Sequence, residues 1–336
     1  MMLVLDETLN IIIFLIVFFL TFFFMFSKRG RALAYELPPR KPSIVLAAFG
    51  TTVPEALVDL ENIMARVSRA FPGFDIRLSF TSNMIRRVWR ERAADGGSQF
   101  DQAVLRKYTA VKNPLSVLAD IQEEGAGAVL VQSLHVTDGE EYHNLALLIQ
   151  ALANQNTLQK SLKPFPCLKL GAPALGLGDG DPKCLDRAVL ALSPLLEESK
   201  EKEAALVMMG HGNERLTQSV FQKLQARLRL DYPRVYLGTV EARPFGPQVA
   251  QQVAIDRPPS GQVIMAPLMV VAGDHARNDM AGSEPDSWQT LLSAQGFEVE
   301  VRLSGLGSLD SWADIYVENL NELYREIGSD QPELIL

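Results

Sequence analysis

The chain contains the stretch LVQSLHVTDGEEYHN at Leu130–Asn144 and a similar stretch, IMAPLMVVAGDHARN, at Ile264–Asn278. The two align without a gap. Identical residues occupy four aligned pairs of positions, which are Leu134 and Leu268, Val136 and Val270, Gly139 and Gly273, and Asn144 and Asn278. A second pair of stretches, IVLAAFGTT and ALVMMGHGNE, is also similar, and each is followed by a helical pattern. Buried strands of α/β proteins can resemble one another by chance, but two such pairs in the same order favour two similar lobes.

The rest of the chain alternates short β-branched runs with longer amphipathic segments. Strands that alternate with helices are typical of parallel sheets covered on both faces. The sequence therefore predicts an α/β fold with two similar lobes, each a mainly parallel sheet flanked by helices, and an active site in the cleft between them. We expect an N-terminal lobe over residues 41–200, a C-terminal lobe over 201–305, and a C-terminal helix in 306–336 that packs back on the lobes.

The composition argues against nucleic acid as a partner. The 336 residues have a hydrophobic fraction of 47% and a net charge of −8, which fit a globular protein with a sizeable core. No block of lysine and arginine stands out in the body of the chain. Nucleic acid is therefore not predicted as a partner, because its binding needs a concentrated positive surface.

The N-terminus carries an apolar run over residues 11–26, in the segment 1–40 that we interpret as a signal or anchor with a linker. Lys28 and Arg29 follow the run, so the positive-inside rule predicts a membrane anchor with the catalytic domain in the cytoplasm. The small residues Ala32 and Ala34 support the alternative of cleavage near Ala34 and a periplasmic protein. Either way, we expect a membrane-associated or exported protein.

Two of the four histidines, together with one glutamate, suggest a metal site in the second lobe. His211 and His275 each follow a predicted strand, and Glu241 ends the predicted strand between them. Because parallel strands end at one edge of a sheet, these side chains are expected along one rim. Two imidazoles and a carboxylate suit a divalent transition metal with open coordination positions. The alternative is that each histidine is a hydrogen-bonded structural residue.

The first lobe has its own polar cluster after the third predicted strand, formed by Glu140, Glu141 and His143. In the repeat alignment, Glu141 stands where His275 stands. A carboxylate there can accept protons or pass on a metal, or it can simply favour the start of a helix. His135, within the strand, is interpreted as a structural histidine.

These motifs together resemble the anaerobic sirohydrochlorin cobaltochelatases, a class II chelatase family of cobalamin biosynthesis. The resemblance rests on AFGTTVPEA, LVQSLHVTDGEEYH, MGHGNE, GTVEARP and PLMVVAGDHARNDMAG, and it covers about residues 43–325. It implies two α/β lobes around a tetrapyrrole cleft, sirohydrochlorin as substrate, and Co²⁺ as the inserted metal, with Fe²⁺ as an alternative. It also implies that His211, Glu241 and His275 are the metal ligands. Some members carry an export signal, which fits the N-terminal run.

The resemblance leads to a hypothesis for the reaction, in which two pyrrole protons are exchanged for one metal. His211 or His275 releases the metal and takes up a proton, because imidazole titrates near neutral pH, and Glu140 or Glu141 assists from the other lobe. Arg243, Arg277 and one of Arg86 and Arg87 are candidates for binding the substrate carboxylates. A ferrochelatase for sirohaem and a non-catalytic tetrapyrrole or metal carrier are the alternative functions. A homo-oligomer is left open.

Overall fold

The computed structural model describes residues 41–330 apart from residues 98, 126, 156, 159–162, 179 and 213–216. Two four-stranded sheets organise this part of the chain, and all pairings recorded between their strands are parallel. The first sheet has the order β2-β1-β3-β4 and the second the order β6-β5-β7-β8. The strands are β1 Ser43–Ala48, β2 Asp75–Phe80, β3 Ala128–Ser133, β4 Cys167–Gly171, β5 Ala205–Gly210, β6 Val235–Thr239, β7 Gln262–Pro267 and β8 Glu298–Val301.

Helices connect the strands and cover the sheets, as the right-handed crossover of parallel strands requires. They are α1 Leu57–Ala70, α2 Asn83–Ala94, α3 Gln102–Thr109, α4 Pro114–Glu123, α5 Glu140–Ala153, α6 Pro182–Ala191, α7 Ser193–Glu201, α8 Thr217–Leu228, α9 Gly246–Asp256, α10 Trp288–Ala294 and α11 Asp310–Asp330. Several begin where the sequence provides a cap. The side chain of Asn113, for example, accepts a hydrogen bond from the backbone N–H of Ser116, and Pro114 occupies the first turn of α4. The predicted fold class is confirmed.

The repeat seen in the sequence is present in the register of the two sheets. Ser43 of β1 pairs with Val129 of β3, and Ala205 of β5 pairs with Val263 of β7. One step beyond the strands the equivalence continues. The N–H of Leu134 donates to the carbonyl of Ala47 at 2.9 Å, and the N–H of Leu268 donates to the carbonyl of Met209 at 2.7 Å. The gapless alignment of the two stretches is therefore also a structural alignment.

Alternate residues of the central strands belong to different cores, because successive side chains of a strand point to opposite faces of its sheet. In β1, Ile44 and Leu46 join a large core that also receives Leu206 and Met208 of β5. The opposite face of each sheet has a smaller core of its own. One continuous apolar core thus runs through both lobes.

The last helix, α11, packs against the first lobe, where it contacts α1, β3, β4 and α6. Trp312 and Tyr316 are fully buried in the large core, and the Tyr316 hydroxyl donates to the carbonyl of Leu134 at 3.3 Å. The carbonyl of Ala172 accepts a hydrogen bond from the side-chain amide of Asn319 at 3.0 Å. The chain therefore returns to its first lobe after completing the second sheet.

The strand before His275 is shorter than the apolar run of the sequence, which continues to Ala272, since β7 ends at Pro267. From Met269 onwards the carbonyls accept hydrogen bonds from the loop after β8 instead of from the sheet. The N–H of Leu306 donates to Met269 and that of Gly307 donates to Val270, at 2.8 and 2.9 Å. This departure from the sheet carries the following residues towards the first lobe.

The predicted localisation requires a correction. Among the described residues, no helix is long and apolar enough to cross a bilayer, a task that needs about 20 apolar residues. The apolar run at 11–26 lies outside the described residues. The prediction of a membrane-associated or exported protein, with its cytoplasmic and periplasmic variants, is therefore not retained.

Candidate metal centre

The three candidate ligands of the second lobe lie at one edge of its sheet. His211 follows β5 directly, Glu241 lies two residues beyond β6, and His275 lies in the segment after β7. These three strands are neighbours in the order β6-β5-β7 and run parallel. Their carboxyl ends therefore bring the three side chains together, as the sequence predicted.

One ligand atom from each of the three residues lies within 4.8 Å of the others. The Nδ1 atom of His211 is 3.4 Å from Oε2 of Glu241. The two imidazole rings lie edge to face, with centroids 4.8 Å apart. The side chains are roughly half exposed or somewhat less, at 48%, 50% and 36% for His211, Glu241 and His275. The cluster is thus compact enough to share one ion and open enough to exchange it.

Hydrogen bonds at Nδ1 orient both imidazoles. The Nδ1 atom of His275 lies 2.8 Å from Oδ2 of Asp279, and Nδ1 of His211 lies 3.0 Å from the carbonyl oxygen of Gly212. A carbonyl or an ionised carboxylate only accepts hydrogen bonds, so Nδ1 carries the proton in both rings. Nε2 then presents a lone pair in each. A second hydrogen bond of this kind is usual for metal-binding histidines.

The loops that carry His211 and Glu241 are tied to each other through their backbones. The N–H groups of Val240 and Glu241 donate to the carbonyls of Gly210 and His211, both at 3.0 Å. The Thr239 hydroxyl accepts from the N–H of Ala242 at 3.0 Å and donates to its carbonyl, which forms a tight turn around Glu241. Glu241 is therefore held by a fixed turn.

The glycines beside His211 allow close packing within the protein. Gly212 has φ of +82°, and a Cβ at this position would lie 2.7 Å from Cβ of Thr239. A Cβ on Gly210 would lie 2.4 Å from the ring of Phe221. Both glycines thus let the backbone approach neighbouring elements closely, and this packing fixes the direction of the intervening imidazole.

The first lobe carries different residues at the equivalent rim. The paired registers match Phe49 with His211, Ser82 with Glu241, and Glu141 with His275. The backbone bonds are the same, since the N–H of Ser82 donates to the carbonyl of Phe49 at 3.3 Å, just as that of Glu241 donates to His211. The metal cluster therefore has no histidine counterpart in the first lobe.

Glu140 and Glu141 occupy the first turn of α5, where the positive end of the helix dipole favours carboxylates. His143, on the same turn, has Nε2 3.3 Å from Oδ1 of the buried Asp138. The other oxygen of Asp138 accepts from the N–H of Gly178 at 2.6 Å. The structure thus keeps Glu140 and Glu141 at the rim, while His143 is drawn towards Asp138.

His135 has the environment of a structural histidine, as the sequence suggested. Its Nδ1 atom lies 2.8 Å from the Ser133 hydroxyl, and desolvation lowers the pKa of the ring to about 4. The imidazole is therefore neutral near pH 7.

The candidate arginines have different surroundings. Arg243 is exposed, and Arg277 forms an ion pair with Glu55 of the first lobe at 3.5 Å. Arg86 is buried and donates to the carbonyls of Phe80 and Ser82. Its guanidinium is therefore used by the protein and is not available to a substrate.

Two carboxylates close to the candidate site were not singled out in the sequence. Asp279 orients His275, and the spacing of four residues between them on a helical turn was the available signal. Asp59 is 1% exposed, and its Oδ2 atom accepts from the N–H groups of Ala272 and Gly305, both at 3.0 Å. It joins α1 of the first lobe to the segment that carries His275. Burial raises the pKa of Asp59 to about 6.

Comparisons with known proteins agree with this geometry. Residues 42–325 match the family described as cobalt chelatase, CbiK. The chain is 31% identical over 289 residues to sirohydrochlorin cobaltochelatase CbiKC of Nitratidesulfovibrio vulgaris, which covers 84% of this chain and 91% of the relative. It is 29% identical over 286 residues to the sirohydrochlorin cobaltochelatase of Salmonella typhimurium, with 84% of this chain and 96% of the relative covered.

A solved structure supports the fold. The sirohydrochlorin chelatase SirB of Bacillus subtilis subspecies spizizenii, in complex with cobalt, superposes with a TM-score of 0.54 at 14% identity, covering 87% of this chain and 98% of that one. At this identity the likeness concerns the architecture of two parallel sheets. The family match, by contrast, spans both lobes and all three rim residues of the second, so the chain belongs to the CbiK cobalt chelatase family.

Proposed function

We propose that this protein is a sirohydrochlorin cobaltochelatase, which inserts Co²⁺ into sirohydrochlorin with release of two protons in anaerobic cobalamin biosynthesis. The observation that carries the proposal is the cluster of His211, Glu241 and His275, whose ligand atoms lie within 4.8 Å of one another. The named relatives at 31% and 29% identity support the choice of substrate and metal.

In this proposal, His211 and His275 bind Co²⁺ through Nε2, because Nδ1 of each ring carries a proton. Glu241 supplies a carboxylate oxygen. Three protein ligands leave coordination positions for water and then for pyrrole nitrogens. The moderate exposure of the cluster is consistent with a metal that is delivered rather than retained.

The reaction releases one proton from each of two pyrrole N–H groups as one Co²⁺ enters the ring. An imidazole that has lost the metal regains a lone pair on Nε2, which can accept one of these protons. Glu141 stands at the rim position equivalent to His275 and is proposed as a second acceptor, with Glu140 beside it. Arg243 and Arg277 are retained as proposed substrate contacts.

We propose a domain division that follows the two sheets, with an N-terminal lobe over 41–200, a C-terminal lobe over 201–305 and a C-terminal segment over 306–336. The backbone pairing of β1–β4 and of β5–β8 in separate sheets supports it. The packing of α11 on the first lobe supports treating the last segment apart from the second lobe.

A multiple-turnover assay tests the proposed function. The purified chain is mixed with a large excess of sirohydrochlorin and with Co²⁺, Fe²⁺ or Ni²⁺, and the absorbance of the metallated product is followed. We expect many turnovers with Co²⁺. The histidine and carboxylate donors also accept Fe²⁺, so the ratio of kcat/KM values measures the metal preference.

Two outcomes would contradict the proposal. Product formation that stops at one equivalent per protein would indicate a carrier instead of an enzyme. Turnover with Fe²⁺ alone would indicate a ferrochelatase. The uncatalysed rate at each metal concentration is the control, since free Co²⁺ can enter the ring without protein.

A further inference from the structure

One face of helix α1 bonds to the parts of the chain that follow β7 and β8. Asp59, Asn62 and Arg66 lie three and four residues apart, so they share one side of the helix. The side-chain amide of Asn62 donates to a carbonyl of the loop after β8 at 2.9 Å, and Nε of Arg66 donates to Oδ1 of Asp314 at 2.9 Å. Within the described chain these bonds end beyond β8, whereas Asp59 also bonds to the segment that carries His275.

The buried carboxylate of Asp59 joins two separate segments to the helix. Its Oδ2 atom accepts from the N–H groups of Ala272 and Gly305, both at 3.0 Å. Its Oδ1 atom has no hydrogen-bond partner within the described chain. Burial of a carboxylate is costly, but an apolar side chain here would leave both buried N–H groups without an acceptor. Asp59 therefore fixes the positions of the two segments relative to α1.

The packing around these two hydrogen bonds is close. A Cβ on Gly305 would lie 2.5 Å from Oδ2 of Asp59 and 2.6 Å from Cα of Val271. On another side of the same segment, the hydroxyl of Thr51 in the first lobe lies 3.4 Å from the position that a Cβ on Gly273 would occupy. The backbone after β7 is therefore enclosed by the loop after β8 and by two elements of the first lobe.

The three candidate metal ligands differ in what positions them. The loops of His211 and Glu241 belong to the second lobe and bond to each other, since the N–H of Glu241 donates to the carbonyl of His211 at 3.0 Å. His275 follows Ala272 by three residues, and the N–H of Ala272 donates to the first lobe. Ala276, directly after His275, is fully buried in the smaller core of the second lobe. His275 thus depends on both lobes for its position.

We propose that Asp59 is a positioning residue of the candidate metal centre, which acts through the backbone of Ala272 on His275 and so makes Co²⁺ affinity depend on the junction between the lobes. The inference rests on the proposed function and adds to it a residue of the first lobe that is buried away from the metal. Ligand atoms must lie within about 0.2 Å of their coordination distances. A small displacement of the backbone three residues before a ligand therefore weakens the site.

The test compares two truncations on the same helix of the full chain. Asp59→Ala removes the acceptor for the N–H groups of Ala272 and Gly305. The control Asn62→Ala removes a side chain of nearly the same size, whose recorded bonds within the described chain are to the loop after β8. The conservative variant Asp59→Asn keeps an oxygen that can accept from both N–H groups. The affinity for Co²⁺ is measured without tetrapyrrole by titration calorimetry, and the visible absorption of the bound ion reports its coordination.

We expect Asp59→Ala to raise the Kd for Co²⁺ about tenfold or more and to change the absorption of the bound ion, because an imidazole ligand is displaced. Asp59→Asn and Asn62→Ala should each stay within about threefold of the wild-type Kd. In a His275→Ala background, Asp59→Ala should change the remaining affinity less than about twofold, because the ligand through which it acts is already absent. A purely structural role of Asp59 would not produce this dependence on His275.

Equal Co²⁺ affinities in Asp59→Ala and the control would overturn the assignment. So would an undiminished effect of Asp59→Ala in the His275→Ala background, or a wild-type protein that does not bind Co²⁺. If Asp59→Ala is not folded, as judged by circular dichroism, Asp59→Glu takes its place. Its carboxylate extends one methylene further and should displace the same backbone, so an unchanged Kd in Asp59→Glu would also overturn the assignment.

Failure of the proposed function is a separate result. In that case the wild-type protein would bind Co²⁺, and the variants would differ in Kd as expected, but no multiple turnover of sirohydrochlorin would be observed. The two measurements are independent because the Co²⁺ titrations contain no tetrapyrrole.

Discussion

The two lobes have the same strand order and the same backbone bonds at the ends of their strands, but they differ in the side chains placed there. Three equivalent pairs of positions show the difference, namely Phe49 and His211, Ser82 and Glu241, and Glu141 and His275. The second lobe thus combines the shared framework with the proposed metal ligands, while the first combines it with apolar and acidic groups. The same backbone framework therefore carries different chemical groups at equivalent strand ends.

We expect the largest effects of mutation at the first of these pairs, Phe49 and His211. His211→Ala should lower kcat for cobalt insertion at least 100-fold, because it removes a proposed metal ligand and proton acceptor. Phe49→Ala should instead raise KM for sirohydrochlorin, with kcat changed less than about threefold. Steady-state kinetics and circular dichroism distinguish the two effects. Similar losses of kcat in both variants would mean that the lobes do not divide the work in this way.

Asp279 offers the next largest effect, since its first-lobe equivalent is the buried Leu145. Asp279→Asn removes the carboxylate that holds the proton on Nδ1 of His275. We expect Co²⁺ affinity, measured by titration calorimetry, to fall about 10–100-fold. Asp274→Asn is the control, because Asp274 bonds to Asn278 rather than to an imidazole. Unchanged affinity in Asp279→Asn would exclude this orienting role.

The equivalent glycines Gly50 and Gly212 test the shared backbone. Both have positive φ, of +99° and +82°, and a Cβ would come within 2.8 Å of Phe80 in one lobe and 2.7 Å of Thr239 in the other. Alanine at either position should lower the free energy of unfolding by about 2–4 kcal/mol through strain and overpacking. Urea denaturation measures it. Alanine at Gly125, which has positive φ but open space around it, is the control.

Asp59 connects the lobes, and we expect its carboxyl group to make the free energy of unfolding depend on pH. Its pKa is raised from 3.8 to about 6 in the folded protein, so between these values the folded state binds more protons than the unfolded state. Rising pH therefore lowers the contribution of Asp59 to the free energy of unfolding. This contribution is greatest below about pH 4 and is lost as the pH rises through about 6. Relative to Asp59→Asn, the wild-type protein should lose about 2 kcal/mol of unfolding free energy between pH 4 and 7. A pH-independent difference between the two proteins would contradict this.

The smallest effect belongs to the ion pair of Arg277 and Glu55, which also links the lobes. Their side chains are 35% and 70% exposed, and the charged atoms lie 3.5 Å apart. Exposed pairs contribute little, so Glu55→Gln should change the free energy of unfolding by less than about 0.5 kcal/mol. A larger loss would show that the lobes are held together at the surface as well as by their shared core.

The sequence predicted the parallel sheets and the cluster of His211, Glu241 and His275, because both follow from strand periodicity and from the common edge at which parallel strands end. It did not predict the end of β7 at Pro267, since the apolar run continues into residues that bond to another loop. The hydrogen bonds by which Asp59 connects the two lobes were not predicted either. Its two partners, Ala272 and Gly305, lie more than 200 residues away along the chain, and backbone N–H groups leave no trace in residue type.

The return of α11 to the first lobe has a consequence for synthesis on the ribosome. Trp312 and Tyr316 complete the large core with side chains that are fully buried, yet they are made only after both sheets have been translated. Until residues beyond 310 emerge from the ribosome, part of the apolar surface of the first lobe stays uncovered. Completion of the amino-terminal half is thus coupled to synthesis of the carboxyl terminus, and the nascent protein depends on this last helix to close its core.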